Sequence, residues 1–64
     1  MMNYQQALRK AVAYCMEGDC GCCINRRLDG SHYISDWYDS DSTIHTLRED
    51  GSIKWTNSYF KEVA

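Results

Sequence analysis

Hydrophobic residues recur at helical spacing near the start of the chain and at strand-like spacing further along. Between Asn3 and Gly18 the apolar positions repeat every three or four residues, which predicts an amphipathic helix over residues 4–17. Asn3 is a favourable N-cap with Gln6 at the spacing of a capping box, and Gly18 is predicted to end the helix. The predicted apolar face consists of Tyr4, Leu8, Ala11, Val12, Cys15 and Met16.

Two Asp-Gly pairs, Asp29-Gly30 and Asp50-Gly51, each lie between short runs of β-branched and aromatic residues. Asp-Gly is a strong signal for a two-residue hairpin loop of type I′. The chain is therefore predicted to be an α+β protein in which the N-terminal helix packs on a four-stranded antiparallel sheet built of two β-hairpins. Residues 1–64 would form a single domain, and a short helical turn could follow Ser58.

The loop length also predicts which residues face each other across the strands. A two-residue loop places Ile24 opposite Ser35 in the first hairpin and Thr46 opposite Trp55 in the second. Paired residues share a face of the sheet. The predicted helix-facing residues are therefore Cys22, Ile24, Leu28, Tyr33, Trp37, Ile44, Ile53 and Trp55, and both tryptophans are expected to be buried.

The size of the chain limits what it can do. A domain of 64 residues buries only about 60% of its unfolded surface. Such a chain has little room for a substrate cavity beside its core, so we expect a binding protein and not an enzyme. The absence of proline and the high aromatic content also predict a folded chain and not a disordered one.

Charge is unevenly distributed along the chain. Residues 1–27 carry four basic and two acidic side chains, whereas residues 28–64 carry three basic and seven acidic ones. An acidic half repels nucleic acid and favours a basic partner. We therefore expect a basic, nucleic-acid-binding protein as the partner, with no direct binding of nucleic acid and no binding to membranes.

The segment from residue 36 to residue 42 is the most distinctive candidate for a binding surface. Its carboxylates alternate with aromatic and hydroxyl side chains, and they could imitate nucleic-acid phosphates on a basic groove. Exposed Tyr38 would add contact area. The predicted partner-binding residues are Asp36, Tyr38, Asp39, Asp41, Glu49 and Asp50. A solvated loop between two hairpins is the alternative interpretation.

Four cysteines within residues 15–23 are the other chemical candidate. Zinc sites commonly use two C-x₂₋₄-C pairs, but here four, one and zero residues separate successive cysteines. Cys22 and Cys23 would point to opposite faces of a strand, so we expect no bound metal and no cofactor. The thiols are expected to be reduced, since disulfides are rare in the cytosol. A disulfide between Cys15 and either Cys20 or Cys22 is geometrically feasible but disfavoured in the cytosol. A structural zinc-binding module remains an alternative function.

In size, acidity and compactness the chain resembles the small inhibitors that phages and mobile elements carry against host defence, such as anti-CRISPR and anti-restriction proteins. The resemblance lies in overall character and implies a cytoplasmic inhibitor of a nucleic-acid-handling protein, acting in the host cell if phage-encoded. We expect a monomer or weak homodimer. A homo-oligomerising accessory subunit, using a sheet face with Ile34 and Leu47, is a further alternative.

Overall fold

The computed structural model describes residues 1–59 and contains one helix packed on one face of an open four-stranded antiparallel sheet. The predicted α+β architecture is confirmed. In chain order the elements are α1 (Tyr4–Gly18), β1 (Cys22–Arg26), β2 (His32–Ser35), β3 (Thr43–Leu47) and β4 (Ile53–Thr56). The strand order in the sheet is β2-β1-β3-β4.

Helix α1 begins as the sequence predicts. The Asn3 side chain accepts a hydrogen bond from the Gln6 amide, and the Gln6 side chain accepts one from the Asn3 amide, which completes the capping box. The end of the helix differs from the prediction. Gly18 is still helical, and Asp19 is the residue with left-handed backbone geometry, at φ 54°. Aspartate tolerates this conformation better than most non-glycine residues.

A stripe of small side chains brings α1 close to the sheet. Ala7, Ala11 and Cys15 are fully buried, and they recur at intervals of four residues along one side of the helix. Met16 was predicted on this face, but it is 63% exposed. The core beneath the helix is completed by Cys22, Ile24, Ile44 and Leu47.

The first hairpin has a three-residue loop and not the predicted two-residue loop. The Gly30 amide bonds to the Arg27 carbonyl, and Gly30 has a φ of +90° whereas Asp29 is not in the positive-φ region. This is a type I turn followed by a left-handed glycine. Asp29 stabilises the turn because its carboxylate accepts hydrogen bonds from the Ser31 amide and hydroxyl.

The extra loop residue shifts the register of β2 by one position. Ile24 faces Ile34 and not Ser35, so Ile34 lies on the helix side and Tyr33 on the opposite side. A one-residue slip sends every side chain of a strand to the other face. The predictions that Leu28 and Trp37 lie in the core are therefore wrong, since their side chains are 109% and 69% exposed.

The second hairpin has the same turn, but a bulge restores part of the predicted register. Its closing bonds join Arg48 to Ser52 and Gly51, and the pairing shifts between Thr46 and Leu47. Thr46 faces Trp55 as predicted. The bulge places Trp55 and Ile53 on different faces, so Trp55 is 40% exposed and the prediction of its burial is wrong.

Strands β2 and β3 both pair antiparallel with β1, which makes them parallel to each other. The connection over residues 36–42 must therefore return from one end of the sheet to the other. We call this segment the crossover. It lies on the sheet face that α1 leaves open, where the Asp39 amide donates a hydrogen bond to the Thr43 side chain of β3.

Two features complete the described fold. Residues 58–59 have 3₁₀ geometry, with the Tyr59 amide bonded to the Asn57 side chain, and the remainder of the predicted terminal turn lies outside the described residues. Within residues 1–59, α1 is too short and too polar to cross a membrane.

Candidate functional site

A continuous chain of hydrogen bonds fastens the crossover to the open face of the sheet. The Asp39 amide donates to Thr43 Oγ1, and that hydroxyl donates to Asn25 Oδ1 at 2.5 Å. Asn25 Nδ2 donates to Ser35 Oγ, whose hydroxyl donates to the Trp37 carbonyl at 2.7 Å. The chain thus begins and ends on the crossover and passes through the middle of the sheet.

Each hydroxyl in this hydrogen-bond network acts both as a donor and as an acceptor. Thr43 and Ser35 each accept one hydrogen bond and donate one, and the carboxamide of Asn25 supplies one acceptor and one donor. Asn25 and Thr43 are 1% and 0% exposed. A satisfied polar network of this kind fixes one arrangement of the backbone above it.

The two ends of the crossover are fixed separately. At its start, Asp36 accepts a 2.8 Å hydrogen bond from the Tyr14 hydroxyl of α1. This bond to Asp36 and the negative charge of the carboxylate raise the pKa of Tyr14 to about 12. At its end, the Asp39 carboxylate accepts from the Asp41 amide, and the Asp39 carbonyl accepts from Thr43.

The crossover presents aromatic side chains to solvent. Trp37 is 69% and Tyr38 52% exposed, and the rings of Tyr38 and Trp55 form a T-shaped pair with centroids 5.5 Å apart. Carboxylates of the crossover are exposed around these rings. We call this area the crossover surface; it consists of Asp36, Trp37, Tyr38, Asp39, Asp41 and Trp55.

The structure divides the predicted partner-binding residues into two groups. Asp36, Tyr38, Asp39 and Asp41 all lie on the crossover. Glu49 and Asp50 lie in the β3–β4 turn, at the end of the sheet opposite to Asp39 and Asp41. The five residues of β3 separate these ends by about 16 Å.

The Asp50 side chain stabilises the β3–β4 turn. Its carboxylate accepts hydrogen bonds from the Ser52 amide and hydroxyl, which lower the pKa of Asp50. The β1–β2 turn uses Asp29 in the same way. The hydrogen bonds of the Asp50 carboxylate therefore indicate a role in the turn itself. Glu49, the preceding residue, is exposed.

Trp37 and Trp55 belong to the crossover surface although sequence reasoning assigned them to the core. The error came from the loop length, since one extra residue reversed the face of β2 and a bulge reversed that of Trp55. A sequence signal was present in Asp36-Trp37-Tyr38-Asp39, where charged residues on both sides of two aromatic residues are unusual for a buried strand end.

Basic side chains border one end of the crossover surface. Arg26, Arg27, Asp39 and Asp41 line the same groove beside the β1–β2 turn. The guanidinium of Arg27 also lies over the ring of Tyr33, 4.3 Å from its centroid. The negative charge of Asp39 and Asp41 is therefore partly offset by neighbours, whereas Asp36 lies at the other end of the crossover.

The cysteines do not converge on one point. Cys15 and Cys22 are buried with their Sγ atoms 3.4 Å apart, and Cys23 lies on the opposite face of the sheet. Burial is the main cause that raises the pKa of Cys22, to about 12. Among residues 1–59, no group of three or more His, Cys, Asp or Glu side chains has a geometry that could hold a metal ion.

Two buried histidines flank Tyr4 on the helix side of the sheet. The Tyr4 hydroxyl bonds to His45 Nε2 at 2.8 Å, and His45 Nδ1 bonds to Thr56 Oγ1 at 3.0 Å. His32 meets the Tyr4 ring edge-on, and neither of its ring nitrogens has a hydrogen-bond partner within the described residues. Burial lowers the pKa of both histidines.

No protein-family model, curated protein or solved structure matches this chain. The function is therefore argued from the geometry of its own side chains. The crossover surface combines exposed aromatic rings, carboxylates and a fastened backbone, which together suit the binding of another protein.

Proposed function

We propose that this protein is a non-enzymatic binding module that docks on a basic surface of a partner protein through the crossover surface. The observation that carries the proposal is the exposed aromatic group of Trp37, Tyr38 and Trp55 among the carboxylates of a hydrogen-bonded crossover. Large exposed aromatic patches with a charged rim are typical of protein interaction sites.

The hydrogen bonds that hold the crossover in place support this proposal, because they lower the cost of binding. Ordering a loop on binding costs free energy, and a loop already held in place avoids that cost. The network through Asn25 and Thr43 holds the crossover at Trp37 and Asp39 before any partner arrives. Tyr and Trp lose little side-chain entropy on binding, so the rings of the crossover surface can contribute affinity efficiently.

The chemistry of the surface favours a basic partner. Asp36 and Asp41 are exposed carboxylates, and lysine or arginine would pair with them as it does with nucleic-acid phosphates. We therefore propose that the partner is a nucleic-acid-binding protein and that this module inhibits it by occupying its basic groove. The phage or mobile-element origin and the action in the host cytoplasm are part of the same proposal.

A matched pair of double variants tests the proposal. Asp36→Lys/Asp41→Lys changes the crossover surface, and Glu17→Lys/Glu49→Lys makes the same charge change elsewhere on exposed positions. Asp39 is left unchanged because its carboxylate holds the backbone of the crossover. Both variants and the wild type serve as bait in a bacterial lysate, and retained proteins are identified by mass spectrometry.

The expected result is one or a few basic proteins that bind the wild type and the control variant but not the crossover variant. Their binding should weaken with salt, because screening limits the range over which exposed charges interact to about 8 Å at physiological ionic strength. Nucleic acid should compete with the module for the captured partner. A partner that is lost with the control variant and kept with the crossover variant would contradict the proposal.

A further inference from the structure

Strand β2 forms an outer edge of the sheet, and within residues 1–59 this edge pairs only with Met2. In an antiparallel ladder only alternate residues direct their backbone groups at the partner strand. The Arg27 amide bonds to Ser31, so the same alternation directs Tyr33 and Ser35 at β1 and directs His32 and Ile34 outward. The outward amide of His32 already bonds to the Met2 carbonyl in an antiparallel bridge.

A groove lies beside this edge, next to Ile34. It has a volume of about 380 Å³, and its lining includes Tyr14, Ile34, Asp36 and Trp37. The outward backbone groups of Ile34 are therefore accompanied by apolar side chains and one carboxylate. An edge that pairs with Met2 at one position can pair with an extended segment at the next outward position.

We infer that the groove at the β2 edge binds an extended peptide segment of the partner, which pairs with Ile34 and places a lysine or arginine beside Asp36. Backbone hydrogen bonds would supply affinity, and an apolar side chain of the peptide would enter the groove between Tyr14 and Trp37. The inference rests on the proposed function, since it names the form of the partner's contact with one end of the crossover surface.

Charge favours a basic peptide over other occupants. Asp36 carries the carboxylate at this edge, and it accepts a hydrogen bond from the neutral Tyr14 hydroxyl. A cationic side chain would therefore meet a carboxylate that is not neutralised by that contact. Arg26 and Arg27 line a different groove, beside the β1–β2 turn.

A second copy of this chain fits the edge less well. Antiparallel pairing centred on Ile34 would place Asp36 opposite His32 of the second copy. That position is already bridged by Met2 of the same copy. Two copies could thus share little more than the pair at Ile34, whereas a separate peptide can adapt its length and side chains to the groove.

A phage-displayed library of random seven-residue peptides is the probe for this inference. The library is selected on the wild-type protein, and the enriched peptides are then measured by fluorescence anisotropy. We expect sequences with an apolar centre and a neighbouring lysine or arginine. On titration, the NMR amide signals of Ile34 and Asp36 should move most, and the Ile34 amide should become protected from hydrogen exchange.

Two variants decide the outcome, and the charge reversal has a matched control. Ile34→Pro removes an outward donor without removing a β1–β2 hydrogen bond, and it should weaken peptide binding about tenfold. Asp36→Lys should weaken binding about fivefold, whereas Glu49→Lys, at an exposed position of the β3–β4 turn outside the crossover surface, should not change it. Circular dichroism and thermal unfolding identify any variant that fails to fold, and Ile34→Ala then replaces Ile34→Pro with exchange protection as the readout.

Selection of no peptide, or of peptides that bind Asp36→Lys as well as the wild type, would overturn the inference. If the captured partner then still loses affinity with Asp36→Lys/Asp41→Lys, the proposed function stands without the groove. If peptides occupy the groove but that double variant binds the partner normally, the proposed use of the crossover surface fails instead.

Discussion

The hydroxyl of Thr43 donates a hydrogen bond to the side-chain oxygen of Asn25 at 2.5 Å, and both residues are buried beneath the crossover. This contact joins β1 to β3, and it is part of the hydrogen-bond network that holds the crossover on the sheet. The position of the exposed aromatic rings therefore depends on two buried polar side chains.

Removing the Thr43 hydroxyl should loosen the crossover. Thr43→Val keeps the shape of the side chain but leaves the Asp39 amide and Asn25 Oδ1 without this partner. We expect the free energy of unfolding to fall by about 1–3 kcal/mol, measured by urea denaturation. Thr46→Val, in the same strand at a part-buried position, should change it by less than about 0.5 kcal/mol. Equal effects of the two variants would show that the network does not stabilise the fold.

The two turn glycines should respond differently to alanine. Both have positive φ, +90° for Gly30 and +86° for Gly51. A Cβ on Gly30 would meet nothing within 4 Å, whereas one on Gly51 would lie 3.0 Å from Val12 Cγ1 of α1. Gly30→Ala should cost about 1 kcal/mol from backbone strain alone, and Gly51→Ala should cost more. Thermal unfolding of the two variants checks the order, and a larger loss for Gly30→Ala would contradict the packing of this turn on α1.

Acid should destabilise the protein through its buried histidines. Burial lowers the folded-state pKa of His32 and His45, so the unfolded chain binds protons at a higher pH than the folded chain does. Their contribution to stability is full above the unfolded pKa of about 6.5 and is lost as the pH falls through the folded values. Urea denaturation at pH 7.5 and pH 5.5 should give a lower free energy of unfolding at pH 5.5.

His32→Phe should reduce this pH dependence, because it removes one of the two titrating imidazoles. The substitution costs no side-chain hydrogen bond within the described residues. The pKa of Asp29 and of Asp50 is lowered by their turn hydrogen bonds, and that contribution is lost only below about pH 4. The two effects therefore fall in separate pH ranges. An unchanged dependence between pH 7.5 and pH 5.5 in His32→Phe would assign it to His45 or to other groups.

The four thiols should react with a thiol reagent in order of their exposure. Cys20 is part-exposed, whereas Cys15, Cys22 and Cys23 are buried, and burial raises the pKa of Cys22 and Cys23. A disulfide reagent such as 5,5′-dithiobis(2-nitrobenzoate) should modify Cys20 first under native conditions, and the others only as the protein unfolds. Cys20→Ser is the control, and it should abolish the fast phase. Fast modification of Cys15 or Cys22 in the folded protein would contradict their burial.

Local hydrogen bonds explain which parts of the fold the sequence predicts well. The capping box of α1 joins Asn3 and Gln6, and each hairpin turn is closed within five residues. These interactions depend on neighbouring residues alone, so the helix start and the four strands could be located without tertiary information. The crossover carboxylates Asp36, Asp39 and Asp41 were found for the same reason, because a polar segment between strands is a local feature.

The faces of the strands and their order required the tertiary structure. One additional loop residue before Ser31 reversed the sides of Tyr33 and Ile34, and such a difference has little effect on local preference. The placement of β1 between β2 and β3 depends on pairing between distant residues, and it sends the crossover over the open face.

Local sequence patterns predict one capped helix, four short strands and an acidic, aromatic connection, because each depends on contacts within a few residues. Tertiary structure was needed to show that this connection crosses the sheet, that Trp37 and Trp55 are exposed, and that Glu49 and Asp50 lie at the opposite end of the sheet from Asp39 and Asp41. The physical reason is that strand faces depend on the loop length and the β-bulge, while the crossover is held by Asn25 and Thr43, which come from different strands and meet only in the folded sheet.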